Sequence, residues 1–129
     1  MKTEKPWGYE EIIVSTPAYI IKKLCVRAGH RTSLQYHNRK IETFICQYGQ
    51  GIVYLDSQWV AVVQGGIIHV PDMKVHRIEA GKTSDIIILE VSSLELDDIV
   101  RLEDDYGRAE ENKEPLCGCG KKPPERCLP

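Results

Sequence analysis

The densest chemistry in the chain lies in Gln35-Tyr36-His37-Asn38-Arg39-Lys40-Ile41-Glu42, where an amide, an imidazole and a carboxylate fall between two apolar, strand-like runs. Gln35 and His37 are two apart, so on an extended strand both side chains leave one face while Tyr36 leaves the other. Residues 38–41 make a short polar connection. Glu42-Thr43-Phe44-Ile45-Cys46 then resumes as a strand that can lie antiparallel to the first, returning Glu42 to the side of His37. Such convergence suits a metal ion, and the chain offers a fourth ligand in His76, which opens a strand after the Gly65-Gly66 turn and the Pro71 turn. Gln35, His37, Glu42 and His76 form a mixed nitrogen and oxygen set of borderline softness. It fits a divalent transition metal, zinc first, with manganese, iron, cobalt or nickel as alternatives. Four protein ligands leave room for water or substrate oxygens, as catalysis requires. His69, two before Pro71, reads as structural, and His30, in a turn, as solvated.

The elements that must position these residues read as short strands at 7–14, 19–26, 32–37, 42–47, 51–55, 58–63, 67–70, 76–80 and 84–92. Tyr48-Gly49-Gln50-Gly51 is expected to form a tight hairpin between two of them. No helical apolar period precedes Leu94, and residues 99–102 are expected to add a last strand followed by a short helical turn at 103–106. Evenly spaced short strands with Gly, Asp-Ser and Gly-Lys turns argue for an all-β antiparallel sandwich or barrel. The open edges of a small barrel are often paired across a two-fold axis, so a homodimer with residues 10–14 in its contact is expected.

Composition bounds the partners. The 129 residues make one domain, burying about two thirds of its unfolded surface. A hydrophobic content of 42%, a charged content of 28% and a net charge of -2 give no reason to expect a nucleic acid or a membrane as partner. With no apolar signal region and no apolar stretch near the ~20 residues that span a bilayer, the expected location is the cytoplasm. The domain is expected to end at Arg108. Residues 109–129 are charged and then rich in Lys, Pro, Gly and Cys, too poor in apolar area to offset their ordering entropy, and are read as a mobile tail. Cys117, Cys119 and Cys127 in that tail are read as reduced, with a soft metal or a cross-link as the alternative. Cys25 and Cys46 sit in apolar strand patterns, as buried thiols do.

Gly29, the Gln35/His37/Glu42 cluster and Gly49 resemble the first cupin motif, and Gly65, Pro71 and His76 the second, with Gln35 standing where cupins usually carry histidine. This Gln-x-His-x4-Glu version with a late His is similar to the cupin half of the type II mannose-6-phosphate isomerases, the domain fused in bacteria to a mannose-1-phosphate guanylyltransferase. Lys5-Pro6-Trp7-Gly8 resembles that domain's opening, and the string from Asp97-Asp98-Ile99-Val100-Arg101 to Tyr106-Gly107-Arg108 resembles its close. The likeness runs from Lys5 to Arg108. It departs at Asn38-Arg39-Lys40, where the family has a histidine-rich run, and at Phe44, where it has tryptophan.

The resemblance implies a cupin jelly-roll barrel and a metal-dependent aldose–ketose isomerase that interconverts mannose 6-phosphate and fructose 6-phosphate. In such a site the metal polarises the C1 and C2 oxygens of the open-chain sugar while a base moves a proton between those carbons through an enediol. Lys22, Asp72, Glu79 and Asp104 are the candidate bases, and a metal-bound water is another. Arg101 is the first choice for the sugar phosphate, ahead of Arg108, Lys22 and Arg39, because a guanidinium binds phosphate in bidentate fashion. The competing readings are a non-catalytic metal- or sugar-binding cupin, a partner subunit for a separate nucleotidyltransferase, and a cupin enzyme of another reaction class.

Overall fold

The computed structural model describes residues 1–94 and 98–111. The expected cysteine tail lies outside the described residues. Ten strands run in chain order: β1 Lys2–Lys5, β2 Gly8–Ser15, β3 Ile20–Val26, β4 Leu34–Tyr36, β5 Glu42–Leu55, β6 Gln58–Val63, β7 Ile67–Val70, β8 His76–Ala80, β9 Ile86–Ser92 and β10 Val100–Glu103. Every pairing is antiparallel. One sheet runs β1-β2-β3-β9-β5-β7 and the other β6-β5-β8-β4-β10, so β5 belongs to both. The result is an antiparallel barrel, one of the two forms expected from the spacing of the strands, with the jelly-roll arrangement that the resemblance implies. Among the described residues no helix is long and apolar enough to cross a membrane.

The expected hairpin at residues 48–51 is not there. β5 continues through them as one strand of 14 residues. Its first half pairs with β7 and β9, and its second half with β6 and β8. The glycines serve the crossing between sheets instead of a turn. A register shift falls between Cys46 and Tyr48, Gly49 takes φ +83°, and a Cβ there would collide with the Asp85 carbonyl. Three smaller differences follow from signals the sequence carries weakly. β1 is an added polar strand without apolar alternation. It covers Gly8 to Glu11 of β2, so Glu10 and Glu11 are not on an open edge. The helical turn sits at Arg108–Glu111 as a single 3₁₀ turn, later than expected, because the Asp104 carboxylate accepts the Arg108 backbone N–H at 2.7 Å.

Alternation along the central strands divides the interior into two ends. β9 shows a strict buried and half-buried pattern with Ile86, Ile88, Glu90 and Ser92 inward. Leu24, Ile88 and Cys46 lie in register across β3, β9 and β5 and belong to the apolar core with Trp7, Val26, Val53, Ile78 and Ile86. One layer on stand Lys22, Glu90 and Phe44, and the next holds Ile20, Ser92 and Glu42. The same strand faces that build the core thus deliver buried charge at one end. Cys25 and Cys46 are buried free thiols, as expected, and burial pushes both up in pKa.

Gly49→Ala should lower stability by about 2–4 kcal/mol in denaturant melts, since left-handed backbone strain adds to the carbonyl collision. Gly29→Ala, also at positive φ but with nothing within 4 Å of its Cβ, should cost about 1 kcal/mol. Equal losses at the two positions would contradict the role given to the β5 crossing.

Candidate metal centre

His37 follows β4, Glu42 opens β5 and His76 opens β8. Their ligand atoms all lie within 4.8 Å of one another, and all three residues are buried. The His37 ring stands 5.1 Å from the His76 ring, centroid to centroid, and Phe44 meets His76 edge-on at 6.0 Å. The outer ends of both imidazoles are held by the backbone. His37 Nδ1 is 2.6 Å from the Asp98 carbonyl oxygen and His76 Nδ1 is 2.8 Å from that of Lys74. A carbonyl only accepts, so each Nδ1 carries a hydrogen, and in the neutral ring Nε2 presents its lone pair inward. Those Nε2 atoms face the Glu42 carboxylate at 3.4 and 3.3 Å without hydrogen-bond geometry, and Glu42 Oε1 is likewise without a hydrogen-bond partner. Three lone-pair atoms crowded together away from water need a proton or a cation among them. The donor set, already oriented by second partners, fits a divalent metal.

Gln35, the expected fourth ligand, lines the same cavity. It is in register with His76 on one side and Arg101 on the other. Its Oε1 accepts the Ser33 hydroxyl, which orients the amide and leaves that oxygen a second lone pair.

Two charged residues that the sequence reading passed over complete the surroundings. Lys40 is buried and reaches Glu42 Oε2 at 3.1 Å and Glu90 Oε2 at 3.0 Å. Burial opposes its charge, but the Glu90 and Glu42 carboxylates outweigh burial and hold it above the ordinary lysine range. Burial would raise Glu42 as well. The two imidazoles, wherever they carry a hydrogen on Nε2, and the Lys40 ammonium overcome this and keep that carboxyl well below the usual range, ionised as a ligand must be. Glu90 goes the other way, pushed up by burial and by the Glu42 charge against the pull of Lys40 and Lys22.

A cavity of about 380 Å³ opens onto these groups, lined also by Lys22, Arg101, Arg108, Glu10 and Lys5. Lys22 points inward as expected and pairs with Glu10 at 3.3 Å. Arg101 reaches the cavity from β10, a strand anchored by the ion pair between fully buried Arg77 and Glu103 at 2.9 Å. Of the other expected bases, Asp72 is exposed on a turn, Glu79 lies 3.9 Å from Arg31 and Asp104 is bound to Arg108; none of the three lines the cavity. Arg39 is exposed and outside it. His69 meets Thr43 on the outer side, and His30 stacks on Tyr106 at 6.2 Å, half-buried where full solvation was expected.

Asp98 braces the ligand-bearing loop, with Met73 and Ser93 bonding its two ends. Besides its carbonyl bond to His37, Asp98 accepts the backbone N–H groups of Asn38, Arg39 and Lys40 on its carboxylate at 3.1, 2.6 and 3.1 Å.

The two-sheet barrel with this constellation at its polar end is a cupin. KdgF from Halomonas sp. is similar with a TM-score of 0.68 at 17% identity, over 75% of this chain and 89% of that one. CapF from Staphylococcus aureus is similar with a TM-score of 0.68 at 20% identity, over 80% of this chain and 34% of that one. Within the cupins, the family described as "Mannose-6-phosphate isomerase C-terminal" matches residues 1–104, and the chain belongs to it. The alginate biosynthesis protein AlgA of Pseudomonas aeruginosa is 33% identical over 110 residues, 83% of this chain and 23% of the relative. A mannose-1-phosphate guanylyltransferase of Klebsiella pneumoniae is 28% identical over 107 residues, 81% of this chain and 23% of the relative. The chain spans about a quarter of the length of these curated relatives.

Burial opposes the Asp98 charge, but the backbone N–H groups of Arg39, Asn38 and Lys40 outweigh it and hold the carboxyl below its usual range. A folded-state pKa below the unfolded value of about 3.9 stabilises the protein above that pH, and the contribution is lost as pH falls through the folded value. Asp98→Ala should therefore cost about 1–3 kcal/mol at neutral pH. The gap between variant and wild type should narrow in acid melts below about pH 4. A gap independent of pH would contradict the carboxylate's role.

Proposed function

We propose that the chain is a metal-dependent aldose–ketose isomerase of a sugar phosphate, with mannose 6-phosphate and fructose 6-phosphate as the pair suggested by its family. The observation that carries the reading is the inward-facing set of His37 Nε2, Glu42 Oε1 and His76 Nε2, none with a hydrogen-bond partner, at the wall of a cavity rich in cations. Gln35, His37, Glu42 and His76 hold the metal, zinc first. Bound there, it supplies Lewis-acid polarisation of the sugar's C1 and C2 oxygens.

The cavity's charge suits an anionic substrate. Lys5, Lys22, Lys40, Arg101 and Arg108 outnumber the carboxylates Glu10, Glu42 and Glu90 along its wall, although the chain as a whole carries -2. Arg101 is assigned to the phosphate because its register with Gln35 sets it beside the ligand set. Lys22, braced by Glu10, supports the same negative charge from β3. The cavity volume lies within the range of small-molecule sites.

The test is a coupled assay of the zinc-loaded full chain on mannose 6-phosphate, with metal content measured alongside. Chelation should abolish turnover and lower the melting temperature together, because the ligands come from both sheets. His37→Ala and His76→Ala should lose both metal and activity. Arg101→Ala should keep its metal and raise KM roughly 10–100-fold, the loss of one charge-assisted contact. A metal-loaded protein that exchanges no sugar phosphate would favour the non-catalytic sugar- or metal-binding reading instead.

A further inference from the structure

Three carboxylates line the cavity, and the proposed metal set uses only Glu42. Glu10, with 22% of its side chain exposed, pairs with Lys22. Glu90 is 5% exposed and occupies an inward position that Ile86 and Ile88 fill earlier on the same strand. A buried ion pair seldom stabilises more than a well-packed apolar side chain at the same place. Stability alone therefore gives no reason for a charge there, whereas its position does. Glu90 is joined to Glu42 through the single ammonium of Lys40, at 3.0 and 3.1 Å, and it faces the cavity from the layer next to Glu42.

The geometry points to Glu90 as the residue that carries the proton between C1 and C2 of the substrate, with Lys40 as the positioning residue that holds its carboxylate beside the metal set. This rests on the isomerase reading and goes beyond it by naming the base. In the aldose-to-ketose direction the Glu90 carboxylate takes the C2 proton. The C2–H electron pair forms the C1=C2 bond, and the carbonyl pair moves onto O1, which is protonated by water. The resulting enediol loses the O2 proton to water, C2=O2 forms, and the C1=C2 pair takes the proton back from the Glu90 carboxylic acid at C1. C2 is oxidised and C1 reduced within one molecule, so no outside oxidant or reductant is needed.

The groups that face Glu90 suit this task. Burial and Glu42 from β5 favour its acid form, Lys40 from the loop and Lys22 from β3 favour its carboxylate, and Glu10 of β2 pairs with Lys22. A carboxyl both takes and returns a proton, and the place of Glu90 at the cavity wall, held by Lys40, is what suits it to do so.

The experiment follows deuterium from D₂O into the C1 and C2 positions of the fructose 6-phosphate and mannose 6-phosphate pair by NMR. It uses zinc-loaded full chain, with metal stoichiometry and melting temperature measured on each sample. Glu90→Gln should bind zinc as wild type does and lose exchange and turnover together by roughly 10²–10⁴-fold. Should Glu90→Gln lose its zinc, Glu90→Asp decides. Keeping the charge, it should keep the metal, while the shorter reach slows exchange at least about tenfold relative to wild type. Exchange within a few-fold of wild type in a metal-loaded Glu90→Gln or Glu90→Asp protein would overturn the assignment and leave the isomerase reading standing. A wild type that neither exchanges nor isomerises any sugar phosphate would overturn both.

Discussion

The constraint on which this structure turns is the burial of one carboxylate. Glu42 is 2% exposed, and an ionised carboxyl taken out of water without partners is too unfavourable to persist. Its partners come from three separate parts of the chain. Lys40 comes from the loop before β5, His37 from the end of the β4 segment, and His76 from the start of β8 in the other sheet. Each partner is fixed in turn. The Asp98 carbonyl holds the His37 ring and the Asp98 carboxylate holds the loop that delivers Lys40, while the Lys74 carbonyl holds His76. Housing one buried charge among these groups thus goes with an ordered loop, two strand ends and the segment leading into β10.

The passage of β5 between sheets makes this possible. Had the strand ended in a hairpin at Gly49, its two halves would have paired with each other in one sheet. As one continuous element it locks Glu42 in the first sheet to Leu55 in the second, and Leu55 is in register with His76. The distance between Glu42 and His76 is therefore set by covalent geometry along β5 and by the pairing of β8, not by the side chains alone. The apolar layers of Leu24, Ile88 and Cys46 below keep the sheets packed, so the charged layers above need not supply stability. This separation lets the polar end of the barrel carry charges that a core could not.

Much of the site was legible because period-two alternation and ligand spacing are local. Gln35, His37 and Glu42 could be placed on converging faces from spacing alone, and β6, β7 and β8 were read to the residue. The glycines misled because positive φ serves a turn and a bulge equally well. Only the approach of the Asp85 carbonyl, a long-range fact, separates the two at Gly49. β1 was missed because it buries little apolar surface and is defined by its hydrogen bonds to β2. Glu90 left a trace, a carboxylate at the inward position of the alternating run 86–92, which local reading treats as an interrupted core face. Lys40 left only its spacing two before Glu42, and a lysine in a polar loop ordinarily points to water. The Asp98 carbonyl left nothing, because a backbone acceptor has no signature in the side-chain alphabet.

The two oxygens of Glu42 are not equivalent, and this links the proposed metal to the proposed base. Oε2 takes the Lys40 ammonium, whereas Oε1 is the oxygen left without a hydrogen-bond partner. A cation among the three ligands would therefore meet Glu42 through one oxygen, with the other engaged by Lys40 as an outer partner that keeps the ligand charged. The same ammonium holds Glu90. In an interior of low dielectric such shared charges are felt strongly. Drawing Glu42 density toward a metal leaves more of the Lys40 charge to the Glu90 carboxylate, favouring its ionised form when the metal is in place. In the proposed reading Lys40 would couple the metal set to Glu90: with a metal in place more of the base would stand ionised, and its basicity would fall correspondingly.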